Sequence, residues 1–275
     1  MTTAAPRRYL MCRPTHFAVT YRINPWMDPT APYDNALAVS QWENLRQTFL
    51  GLGHTVDLIE PLPGLPDMVF AANGATVVDG KVLAVQFRDA ERADEAPAYK
   101  AWFENAGFEV VDSKHTNEGE GDILLAGDVI LAGTGFRTAH AAHAQTQEVF
   151  GRPVITLQLA DPAYYHLDTA LCVLDERNIA YLPSAFSPGS QAVLRRMFPD
   201  AVLATPADAE VLGLNAVSDG RTVVLPVQAT HLAGALRAAG YETVGVDVSE
   251  LRKAGGGPKC CTLEVRESRR AGGES

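Results

Sequence analysis

The chain has 275 residues and a formal net charge of -10 at pH 7, and 47% of its residues are hydrophobic. This length is enough for one large core or two small domains. The acidic balance and the absence of a basic run argue against a nucleic-acid partner. No apolar run or leader-like segment indicates a membrane span or secretion, and four irregularly spaced cysteines form no disulfide framework, so we expect a cytoplasmic protein.

Strands and helices are predicted in a recurring order along the chain. Residues 1–7 and 269–275 are expected to be loose ends. From Gly74 to Phe87, two β-rich runs flank an Asp-Gly turn, which is typical of a hairpin. A helix over residues 90–106 and a short strand over residues 108–112 complete this first unit.

The same order of hairpin, helix and strand returns three more times, at intervals of roughly 46 to 48 residues. The later helices are predicted over residues 138–150, 191–198 and 230–240. A fifth unit combines strands CTLEVR and RYLMCR with a helix over residues 34–53 and the strand TVDLIE. Units this small must share a core. Because the fifth unit joins both ends of the chain, we favour a closed ring over an open solenoid or an ordinary α/β sandwich.

Polar side chains stand immediately before each predicted hairpin. In chain order they are Asn73, then Glu118, Glu120 and Asp122, then His166 and Asp168, then Asn215, and finally Cys260. In a ring of five units these equivalent positions lie at one end of the axis and converge. The three glycines before Cys260 suit a close approach of the backbone to a ligand. The sequence thus predicts one pocket that holds a thiol, an imidazole, carboxylates and carboxamides.

These residue types favour a particular chemistry. A thiol and an imidazole supply a nucleophile and a proton carrier. Carboxylates around them favour a cation. A planar guanidinium offers five N–H donors, two of which can bind one carboxylate in bidentate fashion. The charge of a bound guanidinium would also lower the pKa of the thiol, because an opposite charge favours the ionised form. We therefore expect a small-molecule guanidino substrate.

The motifs MVFAAN, EGEGD, GTGFRT and HLDT, together with the late Cys pair, resemble those of the guanidino-group-modifying enzymes, the pentein or amidinotransferase superfamily. The resemblance covers nearly the whole chain. It implies a five-bladed α/β propeller of ββαβ repeats with pseudo-fivefold symmetry, formed by one catalytic domain over residues 1–275 with residues 8–266 ordered. It also implies hydrolysis through a covalent Cys-amidino intermediate. We expect no cofactor and no metal ion, since the acidic loop lacks the ligand spacing of a calcium site.

The resemblance also implies roles for individual residues. Cys260 matches the nucleophile, His166 the general acid and base, and Glu118 the carboxylate beside that histidine. Glu120 stays an alternative to Glu118, because EGEGD departs by one residue from the commoner EGGD. The substrate-binding candidates are Asn73, Asp168, Asn24, Arg137, Arg88 and Asp122. Of these, Asp168 matches a carboxylate that holds the guanidinium, and Arg137 an arginine that binds the substrate's α-carboxylate.

Two positions bear on the reaction. Asp168 resembles the acidic residue of enzymes that take unmethylated arginine, and Asn73 stands where arginine deiminases have an aspartate. A carboxamide both donates and accepts, so Asn73 can also hold a neutral ureido group for a second attack. We expect an arginine dihydrolase that yields ornithine, ammonia and carbon dioxide. Arginine deiminase, dimethylarginine dimethylaminohydrolase, an amidinotransferase and a non-catalytic binding propeller stay open as alternatives.

Structural interpretations compete with the functional ones. A lone His-x-Asp such as His166 and Asp168 is also typical of a structural histidine beside a turn. His140 and His143 lie three residues apart on a predicted helix, and we expect them to face solvent because no third zinc ligand is evident. The sequence leaves a homo-oligomer open.

Overall fold

Within residues 6–267, which the computed structural model describes, fifteen strands form five three-stranded sheets. Residues 1–5 and 268–275 lie outside the described residues, and they include most of the predicted loose ends, 1–7 and 269–275. The strands in chain order are β1 (Arg8–Cys12), β2 (Thr55–Ile59), β3 (Ala75–Val78), β4 (Lys81–Ala84), β5 (Glu109–Val111), β6 (Ile123–Ala126), β7 (Val129–Thr134), β8 (Val154–Gln158), β9 (Leu171–Val173), β10 (Ile179–Tyr181), β11 (Val202–Leu203), β12 (Val217–Ser218), β13 (Thr222–Pro226), β14 (Glu242–Val246) and β15 (Leu263–Glu264).

The five sheets share one topology. Their strand orders are β3-β4-β5, β6-β7-β8, β9-β10-β11, β12-β13-β14 and β15-β1-β2. In each sheet the first two strands are antiparallel and the third is parallel to the second, as in β3, β4 and β5. A parallel return requires a crossover, which a helix supplies in each unit. The ββαβ repeat and the five-bladed α/β propeller predicted from the sequence are confirmed.

The fifth sheet is closed by strands from opposite ends of the described chain. Tyr9 of β1 lies opposite Glu264 of β15, and Leu10 lies opposite Leu263, in antiparallel register. Arg7, which the sequence assigned to a loose end, forms an ion pair of 3.0 Å with Glu264. The ring therefore closes as predicted.

Five longer helices form the crossovers, and four short helices lie in the connections of the described chain. They are α1 (Asn35–Gly51), α2 (Ala90–Ala93), α3 (Glu95–Asn105), α4 (His140–Phe150), α5 (Leu167–Ala170), α6 (Pro188–Met197), α7 (Pro206–Ala209), α8 (Thr230–Ala238) and α9 (Ser249–Arg252). The helix predicted over residues 90–106 is divided at Asp94. The helix predicted from residue 191 begins three residues earlier, because the Ser187 side chain caps it and Pro188 suits its first turn.

The apolar core lies between neighbouring sheets and their helices. One cluster joins Trp42 and Phe49 of α1 to Met11 of β1 and also to Val224 and Val246 of the fourth sheet. Each unit thus buries its apolar face against the next, as the shared-core prediction requires. Among residues 6–267, no helix combines the length and apolar character needed to cross a membrane.

Candidate active site

Cys260 lies in the turn that precedes β15, with its side chain buried among residues from other sheets. Its sulfur is 3.0 Å from Nδ2 of Asn215 and 3.3 Å from Oδ2 of Asp168. The glycines before it allow close packing, since a Cβ at Gly256 would lie 2.2 Å from the Phe70 ring. The third, fourth and fifth sheets therefore bring their leading residues together at one sulfur.

His166 and Glu118 form a buried pair, and the charge of His166 acts on the neighbouring Asp168. Nε2 of His166 lies 2.7 Å from Oε2 of Glu118, which also accepts a hydrogen bond of 3.0 Å from Arg137. Burial alone would raise the pKa of Glu118, but the His166 hydrogen bond and the charges of His166 and Arg137 outweigh it and hold this pKa well below its usual range. Glu118 is thus a permanent carboxylate that can orient the imidazole and stabilise its protonated form.

The carboxylate of Asp168 has one oxygen with a hydrogen-bond partner in the protein and one without. Burial raises its pKa to about 6, against the charges of His166 and Lys259. Burial, followed by the charge of Asp168, also raises the pKa of the Cys260 thiol well above its usual range. Within the described residues, Oδ1 of Asp168 and Nδ1 of His166 are buried without a hydrogen-bond partner. Such atoms are costly unless a ligand completes them.

Asn73 has a carboxamide of fixed orientation. Its Nδ2 donates to the main-chain oxygen of Glu118 at 3.0 Å, and its Oδ1 accepts from Nη1 of Arg92 at 2.7 Å. Arg92 is in turn held by Glu95 through bonds of 2.9 and 2.7 Å. A flipped amide would set its NH₂ against the guanidinium and its oxygen against a carbonyl, so the orientation follows from the surroundings.

Three predicted substrate contacts are engaged with the protein. Arg137 binds Glu118, the Asp89 carboxylate at 3.0 Å and the Ile23 carbonyl at 2.8 Å, and it lies 4.9 Å from the centre of the Tyr165 ring. Asn24 donates to the carbonyl of Ala254 at 3.0 Å. Arg88 has a half-exposed side chain that donates to the Phe136 carbonyl. The structure brings Arg137 to Glu118 and leaves Arg88 at the edge of the site.

Glu120 and Asp122 are both bound by other groups of the protein. Glu120 forms ion pairs with Lys259, at 2.7 Å, and with Arg266, and these charges outweigh burial and lower its pKa. Glu118 and not Glu120 therefore stands beside the histidine. Asp122 accepts backbone N–H bonds from Leu167 at 2.9 Å and Thr138 at 3.1 Å. Each carboxylate oxygen thus accepts one backbone bond, and the role of Asp122 as a substrate contact stays a prediction.

His143 is buried, which corrects the prediction that it faces solvent. Its Nδ1 lies 2.8 Å from Thr156 Oγ1 and its Nε2 lies 3.1 Å from the Gly133 carbonyl. The residue therefore joins α4 to the second sheet, and burial lowers its pKa. Across residues 6–267 no group of three or more His, Cys, Asp or Glu side chains is placed to hold a metal ion.

Two buried residues near the site were missed by the sequence analysis. Arg92 lies in a helical pattern where a charged residue usually faces water, so the sequence contained no signal for its burial. Asp67 accepts a hydrogen bond of 3.0 Å from the Tyr21 hydroxyl, and its Oδ1 has no partner in the described chain. Its place in the same PDMVFAAN run as Asn73 was the available signal.

The connection between β1 and α1, residues 13–34, packs against the site. Trp26 Nε1 donates to the Ala163 carbonyl at 2.8 Å, and Asn24 binds the residue before Gly255. Cys260 and His166 are 2% and 1% exposed. A cavity of about 890 Å³ extends along the first strands, from Lys259 and Thr262 to the hairpin turn at Gly127, and neither Cys260 nor His166 lines it. The sulfur is therefore enclosed.

Comparisons with known proteins agree with this fold, although no family model matches the chain. The chain is 56% identical over 263 residues to N(G),N(G)-dimethylarginine dimethylaminohydrolase of Mycobacterium tuberculosis, covering 96% of this chain and 87% of that protein. It is 36% identical over 267 residues to the bifunctional arginine dihydrolase/ornithine cyclodeaminase ArgZ of Synechocystis, covering 94% of this chain and 38% of that longer protein.

Solved structures show the same fold. The N-terminal domain of ArgZ bound to substrate, an arginine dihydrolase, has a TM-score of 0.91 at 36% identity and covers 95% of this chain and 98% of its own. A dimethylarginine dimethylaminohydrolase adduct has a TM-score of 0.76 at 19% identity and covers 94% of this chain and 100% of its own. The likeness thus extends over the complete ring of sheets.

Proposed function

The chain belongs to the guanidino-group-modifying family that includes dimethylarginine dimethylaminohydrolase and arginine dihydrolase, and we propose that it acts on free arginine as an arginine dihydrolase. Members of this family are hydrolases of guanidino C–N bonds, and this chain is such a hydrolase. The observation that carries the finer proposal is the fixed carboxamide of Asn73 close to Glu118.

Asp168 supports unmethylated arginine as the substrate. Its free Oδ1 requires a donor, and every terminal nitrogen of an unmethylated guanidinium carries N–H groups. The dimethylated nitrogen of asymmetric dimethylarginine carries no N–H at all and adds two methyl groups. A buried carboxylate 3.3 Å from the sulfur favours the cation that can fill its hydrogen bonds.

Cys260 is the proposed nucleophile. A guanidinium bound beside Asp168 offsets that carboxylate's charge, so the thiol loses its proton more readily than in the free protein. The thiolate then forms a bond to the guanidino carbon. The carbon–nitrogen bond to one terminal NH₂ breaks as His166 donates a proton, and ammonia leaves. The product is a cationic Cys260-amidino intermediate.

Water completes the first round. His166, with its charge stabilised by Glu118 at 2.7 Å, accepts a proton from water as the oxygen bonds to the same carbon. The carbon–sulfur bond breaks and restores the thiolate, which leaves neutral citrulline. The NH₂ and oxygen of Asn73 can hold this ureido group, whereas a carboxylate there would bind the cation more strongly than the neutral product.

A second round gives the final products. Cys260 attacks the ureido carbon, a second ammonia leaves, and water releases a carbamate of ornithine that loses carbon dioxide. One arginine and two waters thus give one ornithine, two ammonia and one carbon dioxide. The proposal therefore predicts two ammonia for every arginine consumed.

Dimethylarginine hydrolysis is the second candidate function. It is favoured by the 56% identity to a protein of that name. In that reaction one round would release citrulline and dimethylamine. Asp168 beside the sulfur counts against it, for the reason given above.

The test is product analysis with purified protein. Arginine, asymmetric dimethylarginine and agmatine are supplied separately, and ornithine, citrulline, dimethylamine and ammonia are quantified by mass spectrometry and an ammonia assay over time. The proposal expects ornithine from arginine with two ammonia each. Citrulline as the stable product with one ammonia would indicate a deiminase, and faster turnover of dimethylarginine would favour the second candidate.

A further inference from the structure

Asn215, the leading residue of the fourth sheet, makes four hydrogen bonds around the sulfur. Its Nδ2 donates to Cys260 Sγ at 3.0 Å and to the main-chain oxygen of Asp168 at 3.1 Å. Its Oδ1 accepts from the backbone N–H groups of Gly257 at 2.9 Å and Cys260 at 3.0 Å. The side chain is fully buried, so all four bonds are shielded from water.

These bonds leave the amide a single orientation. If it flipped, its NH₂ would face the two backbone N–H groups and its oxygen would face the Asp168 carbonyl. Donor would then meet donor and acceptor would meet acceptor. The N–H of Asn215 is therefore aimed at the sulfur before any substrate binds, which is the preorganisation that electrostatic catalysis requires.

The two side-chain partners of the sulfur have opposite chemistry. Asp168 can only accept, so it suits the protonated thiol, and its charge repels a thiolate. Asn215 can only donate through Nδ2, so its bond becomes stronger when the sulfur carries the charge. Among the side chains of residues 6–267, Asn215 is the one recorded as donating to this sulfur.

We propose that Asn215 is a catalytic residue that donates a hydrogen bond to the Cys260 sulfur whenever the sulfur is a thiolate. This inference rests on the proposed function, since it assigns a role within the same site. During attack the sulfur lone pair forms the bond to the guanidino carbon, and the N–H stays on Asn215 throughout. When water cleaves the carbon–sulfur bond, the pair returns to sulfur and the hydrogen bond strengthens again.

The test compares the wild-type protein with Asn215→Asp. Aspartate keeps an oxygen for the N–H groups of Gly257 and Cys260 but has no NH₂ to offer the sulfur. The readout is the rate of alkylation by 2-chloroacetamidine as a function of pH, with the labelled residue identified by peptide mass spectrometry. We expect the pH midpoint to rise by about one unit or more, and the rate at pH 7 to fall about tenfold. An unchanged or lower midpoint overturns the proposal.

Thr262→Val is the matched control. Thr262 Oγ1 donates to the carbonyls of Pro258 and Lys259, both at 3.1 Å, and so holds the same loop without touching the sulfur. We expect this variant to melt at a lower temperature and to keep the wild-type midpoint. If Thr262→Val shifts the midpoint as far as Asn215→Asp does, the effect belongs to loop stability and the proposal fails.

A measurement on the wild-type protein tests the proposal even if Asn215→Asp does not fold. In ¹⁵N-labelled wild-type protein, the side-chain amide protons of Asn215 should move downfield through the pH range in which Cys260 becomes reactive. The same signals should stay in place in Cys260→Ser, and unmoved signals in the wild type would refute the proposal. Failure of Cys260 to become labelled at all would instead refute the proposed function.

Discussion

The carboxylate of Asp168 lies 3.3 Å from the sulfur of Cys260, so a buried anion stands beside the atom that becomes an anion in the proposed mechanism. Burial, together with this neighbour, raises the pKa of the thiol. A bound cation would lower the pKa of the thiol, because it offsets the charge of Asp168 and favours the thiolate. The free protein therefore holds Cys260 as a thiol, and the arrangement is suited to activation by the substrate.

Replacement of Asp168 by asparagine should separate binding from thiol reactivity. We expect kcat/KM for arginine to fall at least about 100-fold, since loss of one partner of a buried charged pair costs about 3 kcal/mol. Alkylation of Cys260 by neutral iodoacetamide should become faster, because the nearby charge is gone. Asp161→Asn serves as the control, since Asp161 lies in a turn of the segment between β8 and β9 that also contains Asp168. It should change neither kcat/KM nor the rate of alkylation. Slower alkylation in Asp168→Asn would contradict the electrostatic explanation.

The activity should have an acidic limit set by Asp168. Burial raises its pKa to about 6, so the carboxylate is lost as the pH falls through that value. A protonated Asp168 does not attract the guanidinium, and kcat/KM should therefore decline below about pH 6. The measurement is the kcat/KM profile from about pH 5 to about pH 9. The same decline in Asp168→Asn would assign the limit to another group.

Glu118→Gln and Glu120→Gln should have different consequences. Glu118 contacts His166, so its replacement should lower kcat by about 100-fold or more with little change in KM. Glu120 pairs with Lys259 and Arg266, so its replacement should cost about 2–3 kcal/mol of unfolding free energy. Steady-state kinetics and urea unfolding distinguish the two. Equal losses of kcat would show that Glu120 also acts on the chemistry.

The two adjacent cysteines provide a matched pair. Cys260→Ser should lower kcat by about four powers of ten, because a hydroxyl is a far weaker nucleophile in this site. Cys261 is buried in the apolar cluster with Met11 and Trp42, so Cys261→Ser should reduce stability and leave kcat within about threefold. Equal activity in the two variants would place the nucleophile elsewhere.

Asn73→Asp tests whether the carboxamide allows a second round of hydrolysis, from citrulline to ornithine. A carboxylate at this position binds the guanidinium but lacks the N–H that holds a neutral ureido group, so citrulline should accumulate in place of ornithine. Asn117→Asp is the control, since Asn117 is a buried amide bound to the Ala84 carbonyl and the Gly119 N–H. It should lower the melting temperature without altering the ratio of the two products. Ornithine as the main product of Asn73→Asp would contradict the role assigned to the carboxamide.

The fold and the position of the site were predictable because both follow from repetition. Strand alternation and turn residues are local signals, and equivalent positions in a closed ring must lie at one end of its axis. The convergence of Cys260, Asp168 and His166 follows from that geometry. No interaction between distant residues had to be known in advance.

The choice between Glu118 and Glu120 was not accessible in the same way. Glu118 precedes a 3₁₀ turn over Gly119–Gly121 that contains Glu120. Gly119, at φ +58°, lies between the two glutamates, and their carboxylates reach different partners. Arg92 and Glu95 present the same difficulty, because their spacing on a helix is that of an ordinary solvated pair. Their burial is revealed only by the packing of α2, which carries Arg92, and of α3, which carries Glu95.

The pairing of β1 with β15 has a consequence for the synthesis of this enzyme. The sulfur of Cys260, the proposed nucleophile, lies three residues before the start of β15, and β15 pairs with a strand made some 250 residues earlier. A nascent chain on the ribosome can therefore form most of the other sheets before Cys260 is in place. Activity should begin only once residue 264 has left the exit tunnel and docked, so incomplete translation products should be inactive.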